Sequence, residues 1–88
     1  ILTNLSKDNS KDPFIWYELS EAQGLSGNII GLHRSRAEYF ILTGRYDSAI
    51  YQLREGLKLS KNFFEDRESI LSKLEQIYQT KRSLKDLT

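Results

Sequence analysis

Few side chains in this sequence have a type and spacing that could do chemistry. There is one histidine, His33, and there is no cysteine. Metal binding and nucleophilic catalysis both need several donor or titrating groups converging on one point. His33 is instead followed by Arg34-Ser35-Arg36, with no thiol or carboxylate beside it. A packed or partly exposed histidine is therefore expected. Glu65-Asp66 are adjacent carboxylates, but they fall in the first turn of a helix, where negative charge complements the dipole. They are expected to cap and not to exchange protons with a substrate. Gly24-Leu25-Ser26-Gly27 lacks the lysine and the spacing of a phosphate-cradling loop. No catalytic, cofactor-binding or metal-ligating residue is assigned.

The remaining candidates suit recognition. Tyr17, Arg34, Tyr39 and Arg45 lie beside apolar positions, and aromatic and arginine side chains carry much of the energy of protein interfaces. They are expected to line a partner-binding groove. Arg36 is expected to form a structural ion pair with Glu18 or Glu21, with a ligand carboxylate as the alternative. Trp16 and Leu19 are expected to fill an interhelical core.

The elements that must position these residues are legible in a recurrence. Leu25-Ser26-Gly27 returns as Leu42-Thr43-Gly44 and again as Leu59-Ser60-Lys61, 17 residues apart each time. Two such units span 34 residues, the period of the tetratricopeptide repeat, in which each repeat is a helix-turn-helix. Each triplet reads as the last turn of a helix and its stop. The spacing predicts helices over about 13–24, 29–43, 46–60 and 63–81. Asp12-Pro13 opens the first, as cap acceptor and as a first residue with no donor to waste. Asn28 caps the second. Asn62 and Glu65 have the spacing of a capping box for the fourth.

Apolar stripes at spacings of three and four predict the inward faces. In the first helix they include Trp16, Leu19 and Ala22. In the second they run from Ile29 through Leu32, His33, Ala37, Phe40 and Ile41. In the third they run from Tyr46 through Ala49, Ile50, Leu53 and Leu57. In the fourth, Phe63, Arg67, Ile70, Leu71, Leu74, Ile77 and Tyr78 are expected inward. Residues 1–12 are expected to be a linker or the end of a preceding helix around Ile1, Leu2 and Leu5. Residues 83–88 are expected to fray. The fold class is all-α, a right-handed helical solenoid of antiparallel pairs with a long C-terminal capping helix.

The repeat pattern sharpens this reading. Gly44-Arg45-Tyr46-Asp47-Ser48-Ala49 fits the G-x-Y-x-x-A turn between helices, with Ala37 at a position that wants a small residue. Leu53 and Gly56 continue the large-then-small order. Trp16-x-x-Leu19 followed by Gly27 matches a repeat's opening. Ser20, Gln23 and Leu32 depart from the pattern where glycine, tyrosine and alanine are usual.

Composition bounds the partners. The 88 residues carry 13 basic and 12 acidic side chains. Residues 1–44 hold 4 basic and 5 acidic side chains, and residues 45–88 hold 9 and 7. Neither half has the basic excess of a nucleic-acid binder. No apolar run approaches the ~20 residues that span a bilayer. The chain begins with Ile1 and not methionine, and is expected to be a piece of a longer protein.

Two stretches carry a narrower likeness. Asp12-Pro13-Phe14-Ile15-Trp16-Tyr17-Glu18-Leu19-Ser20-Glu21-Ala22 resembles a W-x-x-L-A-x-A helix. Residues 36–53 (RAEYFILTGRYDSAIYQL) resemble an R-A-E-x-x-x-L-x-G-x-x-x-x-A-x-x-x-L signature. Both belong to the C-terminal tetratricopeptide domain of BepA/YfgC-like periplasmic zinc metalloproteases, and the likeness covers residues 12 to about 82. It implies a protein-interaction module for substrates or the barrel-assembly machinery, in outer-membrane protein assembly and quality control. It implies the periplasm of a Gram-negative bacterium, with the cytoplasm as the alternative. It also implies a zinc site in an upstream domain bearing H-E-x-x-H, in which two histidines hold the metal and a glutamate acts as base. That motif is absent from this sequence, so the chain itself is not expected to be an enzyme. The alternative is a free-standing tetratricopeptide adaptor or chaperone with no protease attached.

Overall fold

The computed structural model describes residues 11–87, so the expectations for residues 1–10 and for Thr88 lie outside it. Four helices follow in order: α1 (Pro13–Leu25), α2 (Ile29–Leu42), α3 (Tyr46–Leu59) and α4 (Phe64–Leu87). No strand occurs among the described residues. Turns of three or four residues force consecutive helices to run antiparallel. Each helix packs against its neighbour in sequence, giving an all-α, repeat-like stack.

The first two turns are built alike. After α1, Asn28 N donates to Gln23 O (2.8 Å) and Gly27 N to Gly24 O (3.2 Å). After α2, Arg45 N donates to Phe40 O (2.8 Å) and Gly44 N to Ile41 O (3.1 Å). Both are Schellman closures, which need a left-handed residue at the penultimate position. Gly27 (φ 86°) and Gly44 (φ 78°) supply it. Asn28 then serves twice, because its Oδ1 also accepts from Gly31 N at 3.0 Å and so caps α2. Asp12 caps α1 by accepting from Phe14 N at 3.0 Å. The third triplet has Lys61 in place of glycine, and no Schellman pair forms there. Phe63 N donates to Ser60 O instead.

The core runs along α2, α3 and α4. Ala37, Ala49, Ile50, Leu53, Ile70, Leu74 and Ile77 are buried, with Ile30, Phe40, Ile41, Tyr46 and Leu57 packed against them. Two serines are fully buried, and each returns its hydroxyl to its own helix. Ser20 Oγ donates to Tyr17 O at 2.6 Å, and Ser60 Oγ donates to Leu57 O at 3.0 Å. A buried hydroxyl left without a partner would cost more than its small volume returns.

Several expectations are corrected. The fourth helix begins at Phe64, and no Asn62–Glu65 capping box forms. Phe63 is 55% exposed and Arg67 is also exposed, so neither joins the core. Leu71 and Tyr78 lie at the border of the solvent face, at 38% each. The inward face of α4 is the narrower row Ile70, Leu74 and Ile77. The helix continues to Leu87. Residues 81–87 contain no glycine or proline to stop it, and Lys85 in the last turn complements the dipole. In α1, Ala22 faces solvent and Ser20 takes the buried place.

The G-x-Y-x-x-A turn joins α2 to α3, and ion pairs bridge the alternate helices α2 and α4. Alternate helices share a face in a stack of helix pairs. The pair α2–α3 is thus the unit that the pattern describes, with α1 before it and α4 after it.

Nothing lies within 4 Å of a Cβ built on Gly44, so only its backbone conformation resists substitution. Gly44→Ala is expected to cost about 1 kcal/mol. That lowers the melting temperature by roughly 4–8 °C in a domain of this size. Thermal circular dichroism measures it, and an unchanged melting point would show that the left-handed stop is not holding the α2–α3 turn.

Candidate protein-binding groove

Helices α1, α2 and α4 enclose an open groove of about 360 Å³. Trp16 and Leu19 of α1 form an apolar wall, and Arg34, Ser35 and Glu38 of α2 form the floor. Asp66 of α4 closes the far side. These α2 residues reach the groove because spacings of three and four keep them on one face of a helix.

Gly31 lets the wall and floor meet. A Cβ there would stand 2.5 Å from Asn28 Nδ2 and 2.8 Å from Gln23 Nε2. Glycine leaves room for both the capping asparagine and the glutamine. Gln23 in turn accepts from the buried Ser35 hydroxyl at 2.7 Å. This bond gives a physical reason for glutamine where the repeat pattern usually has tyrosine.

Two ion pairs cross from α2 to α4. Arg34 Nη1 donates to Asp66 Oδ1 at 3.0 Å, and Lys73 Nζ lies 3.1 Å from Glu38 Oε2. Their polarity alternates, so the groove side of α2 is locally neutral. The Arg34 and Asp66 side chains remain 42% and 38% exposed. Solvent screening limits such a pair to about 0.2–1 kcal/mol. Its main consequence is positional: the first turn of α4 is held against α2.

The candidate residues read from sequence do not converge on one place. Arg34 lines the groove. Tyr17 and Tyr39 instead form an edge-to-face pair with centroids 5.4 Å apart, and Tyr39 makes a second such contact with Phe40 at 5.3 Å. Arg45 sits in the α2–α3 turn, at the opposite end of the stack from Asn28. It makes no side-chain hydrogen bond or ion pair among the described residues.

Arg36 does not pair with Glu18 or Glu21, which are exposed on α1. Its guanidinium lies 5.8 Å from the Tyr17 ring centroid, a cation–π contact, and its Nε is buried without a hydrogen-bond partner. Trp16 and Leu19 are half-buried and belong to the groove wall more than to the core. Ala37, Ala49 and Leu53 are buried, and Gly44 has a left-handed backbone.

His33 is half-buried, and its Nδ1 donates to Gln52 Oε1 of α3 at 2.8 Å. Among the described residues no cluster of three or more His, Cys, Asp or Glu side chains could hold a metal ion. Among the described residues no helix is long and apolar enough to cross a membrane.

Sequence reasoning passed over Asp66, Glu38, Gln23 and Ser35. Asp66 and Glu38 carried a usable signal: each stands close to one 34-residue period from an opposite charge. Asp66 follows Arg34 by 32 positions, and Lys73 follows Glu38 by 35. No protein-family model matches the chain, and no curated protein or solved structure gives a significant match.

A double-mutant cycle with Arg34→Ala and Asp66→Ala measures the α2–α4 link directly. The expected coupling is below about 1 kcal/mol and shrinks as salt is added. A salt-independent coupling of several kcal/mol would show that the pair is functionally desolvated.

Proposed function

We propose that the chain is a tetratricopeptide-type protein-interaction module that seats a partner segment in the α1–α2–α4 groove. The observation that carries this reading is the pairing of an apolar wall, Trp16 and Leu19, with a polar floor of Arg34, Ser35 and Glu38. An extended segment laid there would bury its apolar side chains against α1. It would meet donors and acceptors from α2 on the other side. Arg34 is held by a weak, exposed pair, so its guanidinium can exchange Asp66 for a partner carboxylate or backbone carbonyl at small cost.

By its resemblance, the module belongs to a BepA/YfgC-like periplasmic zinc metalloprotease. There it engages outer-membrane proteins or components of their assembly machinery, and zinc chemistry resides in an upstream domain. The parent reading frame tests this placement. A domain bearing H-E-x-x-H behind a signal peptide supports it, and a frame without one overturns it in favour of a free-standing adaptor.

Trp16 is the only tryptophan in the chain, so its fluorescence reports on the groove. Titration with a synthetic peptide copying an outer-membrane barrel strand is expected to shift its emission. Arg34→Ala is expected to weaken that binding by roughly fivefold. Binding that leaves Trp16 emission unchanged would place the partner elsewhere on the stack.

A further inference from the structure

A second groove, of about 490 Å³, lies between α3 and α4 and is lined by Arg54, Leu57, Lys58, Lys61 and Arg67. Four of its five lining residues are cationic and none is a carboxylate. Positions 54, 57, 58 and 61 follow the three-and-four spacing that puts residues on one side of α3 and its outgoing turn. On α4, Arg67, Leu71 and Tyr78 share a face by spacings of four and seven. Arg54 Nη2 donates to the Tyr78 hydroxyl at 2.8 Å, tying that face of α4 to α3.

These charges are not balanced as they are elsewhere. The α2–α4 seam matches Arg34 with Asp66 and Lys73 with Glu38, and Lys81 pairs with Asp47 further along α4. In the second groove only Lys58 has an acidic partner, Glu55, at 3.0 Å. Lys61 and Arg67 have none among the described residues. Arg54 and Lys58 are like charges at i and i+4, an arrangement that weakens a helix. Beside the cations, Leu71 and Tyr78 remain 38% exposed.

We propose that this groove binds an acidic, amphipathic segment of another protein. Its carboxylates meet Lys58, Lys61 and the Arg67 fork, and its apolar side chains cover Leu57, Leu71 and Tyr78. Charge complementarity selects the occupant, since a segment bearing carboxylates supplies what the lining lacks. A nucleic acid fits less well. The cations occupy one short groove, while Glu65, Glu68 and Glu75 are exposed on α4 and would repel a longer phosphate backbone. This site lies on a different seam from the α1–α2–α4 groove and does not depend on that groove's function.

The test uses the full 88-residue chain. A fluorescein-labelled helical peptide built from Glu, Leu and Ala is titrated by anisotropy. The same peptide with Lys for Glu, and a labelled oligothymidylate, run in parallel. The Glu peptide is expected to bind best, with affinity falling as salt rises. Lys61→Glu with Arg67→Glu is expected to weaken it on the order of tenfold. Lys11→Glu with Arg45→Glu makes the same change in net charge outside this groove, before α1 and at the opposite end of α3, and is expected to leave binding intact. Should the double reversal unfold, as circular dichroism would show, Lys61→Gln with Arg67→Gln replaces it, with a smaller loss expected. Equal losses in both double variants, tighter binding of the oligothymidylate, or no binding of the Glu peptide would each overturn the proposal.

Discussion

Helices α2 and α3 each turn small residues into the shared core. Ala37 and Ala49 have no exposed surface. Below them, a Cβ on Gly56 would stand 3.3 Å from Ile70 Cδ1 and 3.4 Å from His33 Cβ. Three helices therefore converge on a backbone without a side chain, and the tip of Ile70 occupies the space. This contact sets where α4 crosses the pair. One turn before Ile70, Asp66 reaches Arg34 on α2, and Arg67 reaches the cations of α3. Both grooves inherit their shape from that fit. Protein interiors are close-packed, so a Cβ at Gly56 would require the tip of Ile70 to give by a few tenths of an ångström.

Much of this was legible because the signals were local. A Schellman turn needs a left-handed residue, and Gly27 and Gly44 each follow a Leu-Ser or Leu-Thr pair that ends an apolar stripe. The first three helices consequently start and stop within a residue or so of their sequence limits. The fourth has no such marks. Lys61 replaces the glycine before it, and nothing in residues 81–87 breaks a helix. Its inward face is set by Ile70 against Gly56, a tertiary fact, so the wider stripe through Phe63, Arg67, Leu71 and Tyr78 could not be narrowed from periodicity alone.

The site was less legible than the fold, and for a different reason. Side chains with a plausible local role were given it. Asp66 sits in a helix's first turn and Arg36 directly before the small Ala37, so dipole compensation and a glutamate of α1 are the partners that sequence alone suggests. In the structure Asp66 serves Arg34 across helices, while Arg36 lies against an aromatic ring because Tyr17, and not Glu18 or Glu21, turns toward α2. Long side chains choose partners across an interface, and that choice depends on helix rotation. A charge paired at nearly one repeat period is the residue-level trace of such a choice, and it is visible only once the period is known.

The first turn of α4 shows how one short stretch of sequence serves two surfaces. Consecutive residues on a helix diverge by about 100°. Asp66 therefore faces α2 and completes a neutral, ion-paired groove, while its neighbour Arg67 faces α3 and adds to an unmatched cationic one. Paired charges and unpaired charges have different consequences at similar exposure. The Arg34–Asp66 pair adds little to stability but fixes register, because either partner can be held without a ligand. Lys61 and Arg67 have no acidic partner among the described residues, whereas Lys58 is matched by Glu55 within α3. Two cations without an internal carboxylate, beside two that are held by Tyr78 and Glu55, are what an acidic partner outside the chain would complete.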